Sequence, residues 1–442
     1  MLRYAAVSLL LASPAVAEFA TDVGQFFADL SAKQHLDQRW GSFSKLRGSQ
    51  KTMSKNIIVL CDGTGNEVEG NISNVLKLFR IAQKNDQQIV YYNPGVGTIG
   101  LSSEWSNAFQ NAKGVFGLAT GYGLDDNIMD AYRFVCKRYE DGDRLFLFGF
   151  SRGSYTVRAL AGLIHIAGLL RPEQLNVATY ALTAYKRASE QNNLHLVWDF
   201  GRIMGTRRAT IHFLGVWDTV ASMIVPRRDR FYLPSLRTLP FTRKNPSVRC
   251  FRQAVAIDER RRMFRLNRWD PGQLYVPVPF ANPPSDVAQD TVQMAFAGMH
   301  SDIGGGYPES ESGLSKFPLA WLTREATDQG LQINVAMYDH LVDGKALTGG
   351  RHAYVAPDST AKLHNSLTWG WKILEFLPKS VNWREWKRRA LFCLYLPWGE
   401  PRRLPDDLQI HPSVEDRHSR LASYRPVNVC FPGNGPPRPA KP

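Results

Sequence analysis

The strongest constraint in this sequence is a short apolar run, Leu145-Phe-Leu-Phe148, that meets Gly149-Phe150-Ser151-Arg152-Gly153 and passes at once into a helix-like segment. A serine with glycines two positions before and after it fits a strained strand-to-helix turn, because the glycines let the backbone pass without a Cβ clash. Ser151 then projects at the tip of a sheet, and the helix N-terminus behind it turns N–H groups toward a developing oxyanion. G-x-S-x-G alone is common by chance, so its context decides. A strand precedes it, small residues follow it, and an acid and then a histidine lie downstream, which favours a nucleophile elbow over a serine that only caps a helix.

The rest of the chain alternates strand and helix signals. Asn56-Ile-Ile-Val-Leu-Cys61 reads as a strand feeding the turn Asp62-Gly-Thr-Gly-Asn66; Asn74 to Gln83 reads as a helix and Gln88-Ile-Val-Tyr-Tyr92 as a second strand. A glycine-rich loop is expected over 114–123, a helix over 125–138, and a polar helical stretch over 173–191. Thr210 to Val216 and Thr291 to Ala297 read as strands, and residues 223–290, rich in Arg and Pro, as an insertion with partly irregular structure. Beyond 310 the expectations are a C-terminal elaboration to about 430, with a helix at 317–328, a strand at Ala390 to Leu396, and a disordered Pro-rich tail over 431–442. This alternation predicts an α/β fold, a doubly wound and mainly parallel sheet covered on both faces, with helical and irregular insertions.

Three groups, Ser151, Asp218 and His300, each lie just past the carboxyl end of an expected strand, the edge where open α/β sheets place their ligands. Their chain order, Ser then Asp then His, is that of the α/β-hydrolase fold. In this reading His300 takes the proton of Ser151 and returns it to the leaving group, while Asp218 fixes the imidazole tautomer. The backbone N–H of Arg152 supplies one oxyanion donor and Gly63 or Thr64 a second. His364 is the leading substitute for His300, and Asp302 either replaces Asp218 or caps a backbone N–H. Asp62 raises a rival, an aspartyl-phosphate nucleophile; that chemistry needs a second carboxylate two residues away, where Leu60 and Thr64 stand instead.

Composition narrows the partners. A 442-residue chain with 44% hydrophobic residues can bury a large core, and a net charge of +14 attracts anions. The basic runs at Arg260 to Arg268 and Lys387 to Arg389 lack the glycine-aromatic patterns of RNA-binding modules, so no nucleic acid partner is expected. Five scattered cysteines without metal-ligand spacing predict buried free thiols, with neither a disulfide framework nor a zinc site; no metal or organic cofactor is expected. Residues 367–389 interleave aromatic and cationic side chains, as helices do at lipid headgroups, against the alternative of a helix pair packed on the core. The first 17 residues carry an arginine, an apolar stretch and an Ala-x-Ala end. They read either as a signal peptide, implying export, or, within a leader over 1–52, as sequence upstream of a start at Met53.

Asn56-Ile-Ile-Val-Leu-Cys-Asp-Gly-Thr-Gly-Asn66, Gly149-Phe-Ser-Arg-Gly153, Gly215-Val-Trp-Asp-Thr219, Ile257-Asp-Glu-Arg-Arg-Arg-Met-Phe264 and His300-Ser-Asp-Ile-Gly-Gly-Gly-Tyr307, five motifs in one order, resemble the DUF2235 family. That family includes the lipase effectors of bacterial type VI secretion. The resemblance runs from about residue 55 to 310, with a weaker echo at Ile410-His-Pro-Ser-Val414 and Tyr424-Arg-Pro426. It implies an α/β-hydrolase fold, phospholipase A-type ester cleavage in the effector branch, and a triad of Ser151, Asp218 and His300. The expectation is a serine hydrolase of carboxylic esters, most of all lipid acyl esters. The alternatives are an esterase or thioesterase on small soluble substrates and a non-catalytic binding module on the same fold.

Overall fold

The computed structural model describes residues 54–431 apart from 64–70, 96–122, 192, 221–223, 227–233, 237–238, 279–285, 351, 368, 377, 382–383, 387–393 and 430. The expectations for the 1–52 leader, for Thr64, for most of the 114–123 loop and for nearly all of the C-terminal tail lie outside the described residues. Among those residues, seven strands form one sheet: β1 (Asn56–Cys61), β2 (Gln88–Asn93), β3 (Arg144–Phe150), β4 (Ile211–Trp217), β5 (Val248–Ala256), β6 (Asp290–Phe296) and β7 (Gln409–Ile410). Their order is β7-β6-β5-β4-β3-β1-β2 and every neighbouring pair is parallel.

The helices that matter below are α1 (Asn74–Ile81), α2 (Leu124–Arg138), α3 (Arg152–Ala167), α4 (Ala178–Gln191), α5 (His195–Met204), α6 (His300–Gly304), α7 (Gly313–Asp328), α8 (Val335–Leu341) and α9 (Trp369–Phe376). Strand periodicity sends alternate side chains to opposite faces. Ile57, Val59, Leu145 and Leu147 pack with α2, α3 and α4, whereas Ile58, Leu60, Phe146 and Phe148 pack with α1, α7 and α8. Both faces are therefore apolar, and β1 is buried at all six positions, as a parallel sheet between two helical layers requires. Each fully buried aliphatic or aromatic side chain contributes roughly 1.5–3 kcal/mol. The fold is the expected α/β class, consistent with an α/β-hydrolase.

The chain runs from β1 outward to β2, then returns to place β3 on the other side of β1. The connections from β1 and β3 therefore lead to opposite sides of the sheet, a topological switch point of the kind where such sheets bind ligands. Gly153, in the first turn of α3, lets that helix close onto the end of β1: a Cβ there would lie 2.0 Å from the Cys61 carbonyl oxygen. A Cβ on Gly149 would lie 2.4 Å from the Gly153 carbonyl oxygen, so the two glycines of the motif are required by one tight turn. Gly153→Ala is expected to cost about 3 kcal/mol, roughly 4 °C in Tm for a domain of this size, because its obstacle is backbone rather than a movable side chain. A thermal melt that stays within about 2 °C of the parent would contradict this packing argument.

Three expectations change. The 223–290 span contains a central strand, β5, because its interrupting Arg252 is buried and paired with Asp290 at 2.8 Å and Glu325 at 2.6 Å. Of the strand expected over 390–396, only Leu394–Tyr395 pairs, antiparallel to Lys379–Ser380, and Ala390 to Cys393 lie outside the described residues. The helix expected at 317–328 begins four residues earlier and carries Pro318 at its sixth position, where a proline forgoes the hydrogen bond to the Leu314 carbonyl. Cys61, Cys136 and Cys250 are buried free thiols, as their apolar settings predicted.

Candidate active site

Ser151 sits between β3 and α3 with φ 57° and ψ −119°, a strained conformation for a residue with a side chain. Three hydrogen-bond contacts hold it. The Ser151 N–H donates to the Trp217 carbonyl at 3.2 Å, and the single proton of the Ser154 hydroxyl is shared between the carbonyls of Gly149 and Trp217 at 2.7 and 2.8 Å. Because Phe150 pairs with Trp217 across β3 and β4, Ser151 and Asp218 leave adjacent strand ends. Asp218 also has a positive φ, 30°, so two of the four described non-glycine residues in that region belong to this edge.

Asp218 is fully buried and ionised. His300 Nδ1 donates to its Oδ2 at 2.6 Å, the Ala256 N–H donates to Oδ1 at 3.0 Å, and the Arg402 guanidinium donates to both oxygens at 2.6 and 3.1 Å. Burial alone would raise this carboxyl, but Arg402 and His300 hold it well below the usual carboxylate range. Donation from Nδ1 fixes the His300 tautomer and leaves Nε2 as the proton acceptor. That nitrogen is buried and has no hydrogen-bond partner, so the Ser151 hydroxyl does not reach it in this resting geometry. Burial lowers the His300 pKa below the ordinary histidine value despite the opposing pull of Asp218, which keeps the ring neutral near pH 7.

The surroundings of His300 are aromatic. Its ring lies 4.7 Å from that of Phe150, the residue before Ser151, and 4.8 Å edge-on from Phe264. Trp371 of α9 packs edge-on against Phe264 at 5.3 Å, and the Arg261 guanidinium lies 3.7 Å above the Phe264 ring. Glu259 accepts from the His300 N–H at 3.3 Å and from Arg261, which outweighs its burial and holds it at about 2.

The other sequence candidates are engaged elsewhere. Asp302 caps α6, accepting from the Met299 N–H at 2.9 Å, and pairs with His364 Nδ1 at 2.7 Å. His364 Nε2 faces Glu311 at 2.8 Å, so both of its ring nitrogens are held by carboxylates and neither is left to serve Ser151. Asp62 orders the β1 turn: it accepts from Tyr92 at 2.9 Å, from Ser73, and from the Gly63 N–H at 2.7 Å. The Gly63 N–H is therefore taken up by Asp62 rather than turned toward a reacting oxygen. The Arg152 N–H opens α3 beside Ser151, in the helix turn whose donors point out of the helix end.

Sequence reasoning missed Arg402, Glu259, Phe264 and Trp371. Glu259 and Phe264 lie in the Ile257 to Phe264 motif, which was a signal; Arg402 stands 184 residues from Asp218 and had none. The basic run at 260–268 is largely neutralised, Arg262 and Arg265 by Glu385 and Arg268 by Asp407. Part of the 367–389 stretch packs inward: besides Trp371, Glu375 accepts from the Arg262 N–H at 2.7 Å and Trp386 donates to the Pro401 carbonyl at 2.7 Å.

An uncharacterised protein of Saccharomyces cerevisiae, YEL023C, is 31% identical over 248 residues, which cover 53% of this chain and 35% of the yeast protein. Among solved structures, an uncharacterised protein from Pseudomonas aeruginosa aligns with 20% identity and a TM-score of 0.38, over 70% of this chain and 50% of that one. The Tle1 effector bound to the VgrG spike of the type VI secretion system aligns with 20% identity and a TM-score of 0.29, over 59% and 52%. The chain thus spans about a third to a half of the length of these relatives. The profile described as "T6SS, Phospholipase effector Tle1-like, catalytic domain" matches residues 55–325, which contain Ser151, Asp218 and His300. Since that match takes in more than half of the 442 residues, the chain belongs to the family of type VI secretion Tle1-like phospholipase effector catalytic domains.

Proposed function

We propose that this chain hydrolyses carboxylic esters of phospholipids through an acyl-enzyme on Ser151, with His300 as base and then acid and Asp218 as its orienting carboxylate. The observation that carries the reading is the His300 ring, donating from Nδ1 to Asp218 at 2.6 Å, holding Nε2 without a partner, and packed on the residue that precedes Ser151. The reading requires the Ser151 hydroxyl to reach that nitrogen when substrate binds; catalytic hydrogen bonds are often long or poorly aligned before then. Oγ then attacks the acyl carbon, its proton passes to Nε2, and the collapse of the tetrahedral intermediate hands that proton to the leaving alcohol. Water, deprotonated by the same nitrogen, releases the fatty acid.

The developing oxyanion is received by the Arg152 N–H and by a second donor from the Asp62–Asn66 turn. Gly63 would have to release Asp62 to provide it; Thr64 is the other candidate. Family membership supports a lipid substrate. So does an exposed apolar pair beside the Trp371 helix: Phe376 and Trp398 are 50% and 57% exposed and meet edge-on at 4.9 Å, an edge suited to a lipid surface.

The test is a mass-spectrometric product profile from phosphatidylethanolamine and phosphatidylglycerol vesicles. Free fatty acid and lysophospholipid in equal amounts are expected. Diacylglycerol with a phosphorylated headgroup would contradict ester cleavage. Hydrolysis confined to a short-chain soluble ester would replace the lipid reading with a small-ester one.

A further inference from the structure

Resting on the triad reading above, we infer that Arg402, contributed from beyond the family-matched segment, is a positioning residue that holds Asp218 in the orientation that aims His300 and shares the carboxylate charge that His300 faces. All five N–H donors of its guanidinium are in use. Nη1 donates to Asp218 Oδ1 at 2.6 Å and to the Ala256 carbonyl at 3.4 Å; Nη2 donates to Asp218 Oδ2 at 3.1 Å and to the Phe264 carbonyl; Nε donates to the Phe264 carbonyl at 3.1 Å. One side chain thus fixes both the acid and the backbone of the ring that walls His300 edge-on.

Arg402 is itself anchored. It is 2% exposed, its N–H donates to the Glu259 carbonyl at 2.9 Å, and its carbonyl accepts from Asn428 at 2.8 Å. A planar, five-donor fork pre-organised in this way cannot be reproduced by an ammonium, which offers a point charge and three rotatable donors.

The charged groups around His300 are Asp218 at Nδ1, Glu259 at its N–H, Arg261 paired with Glu259, and Arg402 behind Asp218. Arg402 shares the negative charge of Asp218 and so withholds part of it from the imidazolium. Removing Arg402 leaves that charge to His300 alone, favours the protonated ring, and moves the His300 titration to higher pH.

The experiment uses the full chain as wild type, Arg402→Lys and Arg402→Met. It follows the His300 ring signals by NMR against pH, and the second-order rate of labelling by a serine-directed fluorophosphonate per folded molecule. For Arg402→Met the His300 midpoint is expected to rise and labelling at pH 8 to fall by about 10²-fold, the cost of misplacing a catalytic group. Arg402→Lys keeps the charge, so its midpoint stays near wild type while labelling still falls by about 10-fold, the fork being lost. Wild-type midpoints and labelling rates in both variants would overturn the inference, as would a wild-type labelling rate in Arg402→Lys should Arg402→Met not fold. A His300 shift in a chain whose wild type never labels would sink the hydrolase reading and leave the clamp standing. Labelling without any shift or loss would sink the clamp alone.

Discussion

Ser151→Ala is expected to lower kcat on an acyl ester by about 10⁶-fold, the scale on which loss of a serine nucleophile acts. The fold should be indifferent to the change. Among the described residues the Ser151 hydroxyl makes no hydrogen bond, and the turn is held by the Ser151 N–H and by Ser154. Alanine also accepts the φ of 57° no worse than serine does. A Tm within about 2 °C of the parent and a missing fatty-acid product are therefore expected together. Residual turnover at a tenth of the parent rate would assign the nucleophile elsewhere.

Asp218→Asn should act on activity and stability at once. An amide cannot fix the His300 tautomer or offset its charge, and such a change costs about 10⁴-fold in kcat where the same role is filled. Here the carboxylate also neutralises a fully buried guanidinium, and leaving that cation without its counter-ion costs about 3–5 kcal/mol. Calorimetry of Asp218→Asn beside the double variant with Arg402→Met separates the effects: the second substitution should restore part of the stability and none of the activity. A loss of stability below about 1 kcal/mol in the single variant would show that the pair is not the buried ion pair described here.

What could be read from the sequence was what local chemistry dictates. The unbroken apolar run Ile57–Cys61 and the Gly149 to Gly153 turn announced β1, β3 and the strained serine, because burial on both faces and a turn in which a Cβ on Gly153 would lie 2.0 Å from the Cys61 carbonyl oxygen leave few other residues admissible. β5 was passed over because Arg249 and Arg252 interrupt its apolar pattern, and only the fold shows that Arg252 finds Asp290 and Glu325. His300 was the expected base and His364 its substitute, and in the folded chain each lies against acidic residues. They part over which nitrogen stays unclaimed: Asp302 and Glu311 take both nitrogens of His364, whereas Asp218 takes one of His300. Arg402 carried no local signal, since its meaning lies wholly in contacts made across 184 and 138 residues.

The account depends on His300 priming Ser151, and the most direct measurement is the rate of fluorophosphonate labelling against pH in the wild type and in His300→Ala. Nε2 must be unprotonated to accept the serine proton. The wild-type rate should therefore fall as pH drops through a midpoint below the ordinary histidine value, in the direction burial shifts the ring. His300→Ala should label at least about 10³-fold more slowly and lose that limb. Equal labelling of His300→Ala and wild type, with the same pH profile, would contradict it.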